Sequence, residues 1–386
     1  MKENQLDAER QKKAIRYARI QRRLMVIELA LAAVYIIVWL FAGWSFELKN
    51  YLLLISAQRW FQILIFTYIF GGFYILLTLP LSYYEGFLLP RQFELSNQTL
   101  KLWISDQLKS FLISALLGSV LIEIFYLFLT YFPFTWWLFM GIFMIIINVI
   151  LTNLAPVILF PIFYKFSPLE DERHELGERL TRLAGKASTK IQGVYKFDLS
   201  RRTKAANAAL AGLGNTRRLI LGDTLLSEFN DDEIEIVLAH ELGHHVHNDI
   251  PLGIGIGSIL TFGGLYLANL GLKWGIGHLG FSGIDDFAAL PLFVLVFGIY
   301  SLITMPLGNS YSRWREHKAD VYALEITRKP NDFISAMTRL ANQNLTEVEP
   351  ESWVEFFLYS HPSLSKRIKL AQEWKVKAQN LQNLTQ

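Results

Sequence analysis

Six long runs of apolar residues constrain the fold of this 386-residue chain more than any other feature of its sequence. Each run has about 20 residues or more, enough for a helix to cross a hydrocarbon core of roughly 30 Å. In chain order they are Leu24–Trp44, Trp60–Leu81, Ser110–Thr130, Phe132–Phe160, Leu252–Leu272 and Ala288–Leu307. The fourth run is longer than the others and is interrupted by Asn148, Asn153 and Pro156, so it can contain a break. We therefore expect six transmembrane helices, or seven if the fourth run is divided.

Basic residues flank these runs unequally, and their distribution predicts how the chain crosses the membrane. If the N-terminus is cytoplasmic, nearly all the Lys and Arg fall in the cytoplasmic segments, which are 1–23, 82–109, 165–250 and the chain after 308. The outer loops then contain only Lys49, Arg59 and Lys273. Because positively charged loops remain on the cytoplasmic side, we expect both termini there. The net charge of +3 is too small to indicate a nucleic-acid partner.

Three polar side chains interrupt the predicted spans. An ionisable group in the middle of a membrane costs roughly 2.5–3.5 kcal/mol or more unless it faces protein or water. Glu123, in the middle of the third run, therefore indicates a water-filled interior cavity. For Asn148 and Asn153 in the fourth run we expect hydrogen bonds between helices instead.

One polar segment between the fourth and fifth runs carries a metal-binding pattern. Residues 230–249 read NDDEIEIVLAHELGHHVHND, in which His240, Glu241 and His244 form H-E-x-x-H. Positions four apart lie on one face of a helix, so the two imidazoles can bind one metal ion while Glu241 acts as a general base. The motif alone is also compatible with a helix whose histidines are merely packed or exposed to solvent. Asn230 can cap this helix at its N-terminus.

A catalytic zinc ion needs a third protein ligand and an open coordination position. Metalloproteases that use a third histidine need glycine at position 247 and histidine at position 250, whereas this chain has His247 and Ile250. The usual alternative is a carboxylate, and Glu316 and Asp320 lie four residues apart after the sixth run. Glu316 can bind the metal, and Asp320 can accept a hydrogen bond from a ligand histidine. Spacing alone is equally compatible with a solvated pair on a surface helix.

Two further segments are candidates for substrate binding. Residues 205–214, AANAALAGLG, have few bulky side chains, so a strand there exposes a backbone edge with which an extended peptide can pair. Asn207 and Ala208 are the candidates for this contact, although a plain hairpin packed on the helix fits the pattern equally well. Near the C-terminus, His361 and Arg367 in HPSLSKRI can bind the oxyanion that forms when water attacks a peptide carbonyl.

With these residues assembled, the chain resembles the CAAX prenyl protease 1 family of membrane-integral zinc endopeptidases. The resemblance covers most of the chain, from about Tyr83 to Ala371. Five segments carry it, in the same order as in the family: YEGF…LSNQTLKLWISDQLK, SRRTKAANAALAGLGNTRRLILGDTLL, LAHELGHHVHND, EHKADVYA and HPSLSKRI. Five ordered segments are far more specific than H-E-x-x-H alone.

The resemblance implies a zinc site and its chemistry. One Zn²⁺ ion per chain is bound by His240, His244 and Glu316, and Glu241 is the general base. Asp320 supports the ligands from behind. The implied fold is mainly α, a polytopic helical membrane protein around an interior chamber, with a small α+β zinc metalloprotease domain on the cytoplasmic side.

The resemblance also implies where the substrate binds and what it is. Asn207 contacts the substrate backbone, Ala208 belongs to the same edge, and His361 and Arg367 line the catalytic centre. The implied substrates are peptides or C-terminal segments of membrane-associated proteins, with prenylated CAAX proteins among the candidates. The lipid bilayer is the other expected partner, and the oligomeric state stays open, a monomer being compatible with the sequence.

These features predict two domains. Residues 1–165 form an N-terminal membrane domain with four spans and an ordered loop at 83–109. Residues 166–386 form the zinc metallopeptidase domain, which contains the spans at 252–272 and 288–307, and in which residues 190–197 and 218–221 have strand character.

Two other functions fit parts of the pattern. Family members that process prenylated proteins typically have seven spans and longer chains, so an HtpX-type membrane quality-control protease is the alternative enzyme. The non-enzymatic alternative is a membrane binding protein with a structural zinc. Glu241 argues against that alternative, because a structural site needs no general base. The chain has no cysteine, which excludes thiolate ligands.

Overall fold

The computed structural model describes residues 6–169, 173–212 and 217–384. Within these ranges six helices are long and apolar enough to cross a membrane, which confirms the predicted number of spans. They are Ala8–Phe41, Arg59–Gln92, Leu100–Tyr131, Trp136–Phe163, Asp249–His278 and Phe287–Thr327. Most are longer than the predicted apolar run, because turns of polar residues extend the helices past the hydrocarbon core.

The α-helices, labelled in chain order, are α1 (Ala8–Phe41), α2 (Trp44–Ile55), α3 (Arg59–Tyr83), α4 (Leu89–Gln92), α5 (Leu100–Tyr131), α6 (Trp136–Leu154), α7 (Phe160–Phe163), α8 (His174–Lys186), α9 (Asp223–Glu228), α10 (Asp231–Val246), α11 (Asp249–His278), α12 (Leu290–Thr327), α13 (Pro330–Gln343), α14 (Ser352–Leu358) and α15 (Leu364–Leu384). The strands are β1 (Phe166–Pro168), β2 (Val194–Phe197), β3 (Ala208–Ala211) and β4 (Arg218–Gly222). Turns of π-helix at Tyr84–Leu88 and Ala155–Leu159 join α3 to α4 and α6 to α7.

An additional apolar helix lies before the second span and not in the fourth run. The fourth run continues from α6 through the π-helical turn into α7, and this turn accommodates Pro156 without a break. The chain instead turns at Gly43, whose φ of 82° favours glycine, and forms α2. The 12 residues of α2 extend about 18 Å, too short to cross a membrane.

A small mixed sheet forms the base of the metallopeptidase half. In the described part of the chain its order is β1-β2-β4-β3, with β2 and β4 parallel and the other neighbours antiparallel. The strands predicted at 190–197 and 218–221 correspond to β2, which begins later, and β4. Leu219 and Leu221 of β4 pack in one apolar core with buried side chains of α8, α10 and α13.

The segment predicted as a loop at 83–109 is mostly helical, and the short loop at 93–99 within it contacts the metallopeptidase half. Ser96 forms an isolated β-bridge with Thr203. The guanidinium of Arg202 donates two hydrogen bonds to Asp106 on α5, at 2.8 and 2.9 Å. These contacts hold the segment that leads into β3, so the N-terminal half fixes the start of this strand.

A cavity of about 850 Å³ lies between α3, α5, α6, α11 and α12. Its lining is mostly apolar, with polar groups from Asn148 and Ser258. Asn148 Oδ1 accepts a hydrogen bond from Thr152 on its own helix at 3.3 Å, and Asn153 donates to the carbonyl of Val149 at 2.8 Å. The expectation that these asparagines bond between helices is therefore wrong, because their own helix satisfies them.

Glu123 was expected to face a water-filled interior cavity, and the structure does not place it there. It does not line this cavity, although its neighbour Ile122 does. One carboxylate oxygen of Glu123 is buried and has no hydrogen-bond partner within the described ranges. The interior cavity is present, but its polar lining comes from side chains other than Glu123, among them Ser119 of the same helix, Asn148 and Ser258.

Candidate metal centre and substrate edge

The helix that carries H-E-x-x-H is fixed firmly at its start. Asn230 accepts a hydrogen bond from the N–H of Glu233 at 2.9 Å, and the Glu233 carboxylate accepts one from the N–H of Asn230 at 3.0 Å. This capping box satisfies two free backbone donors of α10. In the same turn, Asp232 binds Arg179 of α8 and Lys329, which precedes α13. Neighbouring elements therefore fix the orientation of α10.

The structure brings the three predicted zinc ligands together. The Nε2 atoms of His240 and His244 lie 3.2 Å apart. They lie 3.2 and 3.3 Å from the two carboxylate oxygens of Glu316 on α12. One ligand atom from each residue lies within 4.8 Å of the others. The pair of helices α11 and α12 thus returns the chain to the metal-binding helix, as the order of spans predicted.

This group of side chains fits a zinc ion. Two imidazoles and one carboxylate leave a fourth position for water, as in catalytic zinc sites. Glu316 and Asp320 are buried, so the alternative of a solvated surface pair is not observed. Glu316 Oε2 is buried, lies 3.2 Å from His240 Nε2 and makes no well-aligned hydrogen bond among the described residues, and a buried carboxylate oxygen of this kind needs a cation or a donor.

The Nδ1 side of the His240 ring faces the buried carboxylate of Asp320, which forms an ion pair with Arg367. His240 Nδ1 is 2.8 Å from Asp320 Oδ1, and Arg367 on α15 donates two hydrogen bonds to Asp320, at 2.8 and 2.6 Å. Burial alone would lower the pKa of His240, but the neighbouring carboxylates of Asp320 and Glu316 raise that pKa to about 9. Two donor atoms of Arg367 bind Asp320, so this guanidinium holds the carboxylate against the ring of His240.

Behind His244 lies a second carboxylate, which the sequence analysis missed. His244 Nδ1 is 2.7 Å from Asp249 Oδ2. Asp249 is the first residue of α11, and it forms an ion pair with Arg315 on α12. An aspartate five residues after the second histidine of the motif was visible in the sequence, but its contact with His244 depends on the turn between α10 and α11.

Glu241 and His361 lie on different sides of the three ligands. Glu241 and His244 line a cavity of about 320 Å³ together with Leu210 of β3. His361 Nε2 lies 3.2 Å from a carboxylate oxygen of Glu316, and its ring is largely exposed. His361 and Arg367 line a separate cavity of about 450 Å³. The candidate metal centre therefore lies between two cavities.

Among the described residues, strand β3 is the edge of the sheet beside this centre and pairs only with β4. The carbonyl of Asn207 accepts a hydrogen bond from the N–H of Gly222 at 2.9 Å, so the main chain of Asn207 faces β4. Alternation in an antiparallel ladder then directs the N–H and C=O of Ala208 and Leu210 towards the free edge. Leu210 contributes to the same cavity as Glu241. Residues 213–214 of the predicted edge segment lie outside the described residues.

The side chain of Asn344 binds the main chain just before the start of β3. Asn344 accepts a hydrogen bond from the N–H of Ala206 at 2.8 Å and donates one to its carbonyl at 3.2 Å. Asn344 also lines the cavity of about 450 Å³ that contains His361. One end of the edge strand thus lies at each cavity, and the candidate metal ligands lie between the two.

Comparison with known proteins gives matches over most of the chain. The sequence profile of peptidase family M48 matches residues 169–375. A profile described as CAAX prenyl protease N-terminal, five membrane helices, matches residues 2–165. In that range the described chain has four candidate spans and the shorter apolar helix α2.

Individual relatives agree with these profiles. An uncharacterized metalloprotease, YhfN of Bacillus subtilis, is 30% identical over 366 residues, which are 93% of this chain and 85% of that protein. CAAX prenyl protease 1 of Saccharomyces cerevisiae is 29% identical over 325 residues, 80% of this chain and 71% of that protein. The crystal structure of Ste24p from S. mikatae superimposes with a TM-score of 0.84 at 25% identity, covering 95% of this chain and 90% of that one.

These matches confirm the predicted resemblance, the mainly α membrane fold and the prediction of a metalloprotease. They disfavour the non-enzymatic alternative, because the matched relatives are named as proteases. The chain belongs to peptidase family M48 and is a multi-pass membrane metalloprotease of the CAAX prenyl protease 1 family.

Proposed function

We propose that this protein is a zinc endopeptidase that cleaves peptides or C-terminal segments of membrane-associated proteins, prenylated CAAX proteins among them. The observation that carries the proposal is the cluster of His240, His244 and Glu316, with Glu241 lining the adjacent cavity beside the sheet edge. One zinc ion per chain, bound by these three side chains, completes the site. The proposed domain boundary lies between residues 165 and 166.

Each side chain of the site has a separate role in the proposed reaction. Bound zinc supplies Lewis-acid activation of water and of the scissile carbonyl. Glu241 removes a proton from the attacking water and then donates it to the leaving amine. His361, exposed beside Glu316, donates a hydrogen bond to the carbonyl oxygen as negative charge develops there. Arg367 acts through Asp320, and so it orients His240 instead of binding the oxyanion as first predicted.

The substrate binds as an added strand at the edge of the sheet. The outward N–H and C=O groups of Ala208 and Leu210 pair with an extended peptide, and the Asn207 side chain binds its backbone. A peptide antiparallel to β3 enters from the cavity beside Glu241. It leaves through the cavity beside His361, where the residues after the scissile bond bind.

A cluster of exposed aromatic residues supports an apolar, membrane-borne substrate. Trp353, Phe356 and Phe357 on α14 are 57%, 47% and 45% exposed. They are spaced three and four residues apart, so they share one face of the helix. Three exposed aromatic side chains on one short helix need an apolar partner.

The position of α14 relates this cluster to the metal centre. Asn309 donates to the carbonyl of Phe357 at 2.6 Å, and Arg313 donates to the carbonyl of Tyr359 at 2.6 Å. Asn309, Arg313 and Glu316 are spaced four and three apart, so they lie on one face of α12. Helix α14 therefore packs on the face that carries the metal ligand, nearer to the membrane-spanning part of α12.

Substitution of the general base tests the mechanism. Glu241→Gln is expected to retain zinc, because residue 241 is not a ligand, and to abolish hydrolysis of a fluorogenic peptide by purified protein. Removal of zinc with a chelator should abolish the activity of the wild-type protein in the same assay. Full activity of the Glu241→Gln variant would exclude this mechanism.

The same variant distinguishes the two classes of substrate. Peptides that remain bound to Glu241→Gln protein in cells can be captured and identified by mass spectrometry. Prenylated C-termini among them would support CAAX processing, whereas misfolded membrane proteins would support the quality-control alternative.

We place both termini and the metal centre on the cytoplasmic side. The chain has no cysteine, so single cysteines report sidedness directly. A membrane-impermeant maleimide added to intact cells should label Gln58→Cys, between α2 and α3, and should not label Lys186→Cys at the end of α8. The reverse pattern would exclude this orientation.

A further inference from the structure

We propose that Asp249 and Arg315 form a positioning pair that fixes the ring of His244 and ties this ligand to the two membrane helices α11 and α12. This inference rests on the proposed function, in which His244 binds zinc. Neither residue belongs to the H-E-x-x-H motif or to the predicted set of ligands. Both act through His244, and neither contacts the reacting atoms.

The first step is the contact between Asp249 and His244. With Nδ1 2.7 Å from the carboxylate, the ring donates its Nδ1–H to Asp249 and keeps the lone pair of Nε2 for the metal. The carboxylate also makes the ring a stronger donor to a metal and restricts its rotation. Asp249 is only 13% exposed, so this hydrogen bond is screened little by water.

The second step is the ion pair that holds Asp249. The guanidinium of Arg315 binds Asp249 and also donates to the carbonyl of His247, at the end of α10. The side chain of Arg315 is 7% exposed. A buried carboxylate between an imidazole and a guanidinium is costly to leave unpaired. Arg315 therefore holds the Asp249 carboxylate in place against His244.

The third step is the position of the pair in the chain. Asp249 begins α11, directly after Asn248, which has a left-handed backbone conformation. Arg315 precedes the ligand Glu316 on α12. Two consecutive residues of α12 thus contribute to the same centre, one by binding the metal and one by holding the support of His244.

The two ligand histidines have matching supports from different parts of the molecule. His240 is supported by Asp320 and Arg367, and the arginine belongs to α15, outside the candidate spans. His244 is supported by Asp249 and Arg315, which belong to the two helices that cross the membrane beside the centre. The position of the His244 ring therefore depends on how α11 and α12 pack against α10.

Zinc affinity of the purified full-length protein tests this inference without any peptide. Asp249→Ala should weaken zinc binding about 10–100-fold in competition with a chelator, the range expected when the support of a ligand histidine is removed. Asp249→Asn keeps a hydrogen-bond acceptor without the charge and should give an intermediate loss. Arg315→Gln should also weaken binding, because it leaves Asp249 without its partner.

A matched control exists on the other side of the membrane. Asp285 pairs with Arg59 at 2.6 Å at the end of a span and touches no ligand histidine. Asp285→Ala should leave zinc affinity unchanged. Cobalt substituted for zinc gives a second readout, because its visible absorption reports ligand geometry, and the spectrum should change in the Asp249→Asn variant and not in the Asp285→Ala variant.

The outcomes separate this inference from the proposed function. Wild-type zinc affinity and an unchanged cobalt spectrum in the folded Asp249→Asn variant, with zinc lost in Glu316→Ala, would overturn the positioning role and leave the zinc site intact. Unchanged zinc binding in Glu316→Ala would instead overturn the proposed ligand set. Thermal unfolding of each variant identifies any that fail to fold, and the Asn substitution preserves the shape of the side chain.

Discussion

A Cβ atom added to Gly243 would lie 2.9 Å from the Cα atom of Ala319. Gly243 lies between His240 and His244 on α10, and Ala319 lies between Glu316 and Asp320 on α12. The backbones of the two helices therefore touch at the level of the metal ligands. This close approach is what brings the carboxylate of Glu316 within reach of both imidazoles.

The first prediction is that Gly243→Ala separates these helices. The added methyl group meets backbone atoms, which cannot rotate away, so we expect the free energy of unfolding to fall by about 1–3 kcal/mol. A misplacement of Glu316 by roughly 1 Å would lower kcat about 100-fold. Chemical unfolding, zinc affinity and peptide hydrolysis measure these effects.

The control for this prediction is Gly185→Ala on α8. A Cβ atom there would meet no atom within 4 Å, and alanine favours helix. Its stability should equal or exceed that of the wild type, with unchanged zinc affinity. If Gly243→Ala behaves like Gly185→Ala, the close approach does not determine the metal geometry.

The contrast between Glu316 and Asp249 shows what the sequence could predict at the site. Glu316 was a candidate because a catalytic zinc needs a third ligand and the order of spans returns the chain to the motif, and the family resemblance then implied it as the ligand. Asp249 and Gly243 were visible as residues, but their roles depend on a turn and on an interhelical distance. A pattern of residue types in one sequence does not specify such distances.

In the membrane half, too, some features could be predicted from the sequence and others could not. Apolar runs predicted six spans because a helix in lipid must be apolar along its length. Helix α2 was assigned to an outer loop, because 12 residues are too few for a span and length was the criterion. The partners of Asn148 were predicted wrongly, because composition does not distinguish a bond within one helix from a bond between two.

The second prediction concerns the ion pair between Arg202 and Asp106, which anchors the segment before β3. Arg202→Ala removes two charge-assisted hydrogen bonds, each contributing about 1.5–3 kcal/mol. We expect the edge strand to lose its fixed position, so KM for an extended peptide should rise about tenfold or more while zinc affinity is unchanged. Steady-state kinetics and zinc titration of the purified variant measure this.

The neighbouring arginine provides the control. Arg201 is half exposed and pairs at 3.0 Å with Asp198, three residues away. Local surface pairs of this kind contribute about 0–1 kcal/mol, so Arg201→Ala should change KM less than twofold. Equal effects of the two substitutions would show that the anchoring of β3 by Asp106 is not what determines peptide binding.

The third prediction follows from the ion pairs at the start of α10. Hydrogen bonds from Lys329 and Arg179 lower the pKa of Asp232. Burial alone would raise the pKa of Glu235, but Arg179 and Lys329 lower it. A carboxyl whose pKa is lower in the folded state stabilises the protein above its unfolded-state pKa of about 4 and loses this contribution as the pH falls through the folded value.

We therefore expect wild-type protein to exceed Glu235→Gln in unfolding free energy by on the order of 1 kcal/mol at pH 7, with the difference shrinking as the pH falls below about 4. Chemical unfolding in detergent at several pH values measures this difference. The exposed Glu178, which pairs with Arg182 on the same helix, is the control, and Glu178→Gln should show little difference at any pH. A Glu235→Gln difference that is independent of pH would contradict the assignment.

The fourth prediction tests whether the aromatic face of α14 binds an apolar chain of the substrate. Burial of a large apolar side chain contributes about 1.5–3 kcal/mol, so Trp353→Ser should raise KM about tenfold for a peptide with a long alkyl chain. KM for the same peptide without that chain should stay unchanged. Trp60→Ser is the matched control, because Trp60 is 55% exposed at the start of α3, at the end of the spans away from the proposed site, and it should affect neither peptide. Equal losses with both peptides in the Trp353→Ser variant would assign α14 a structural role instead.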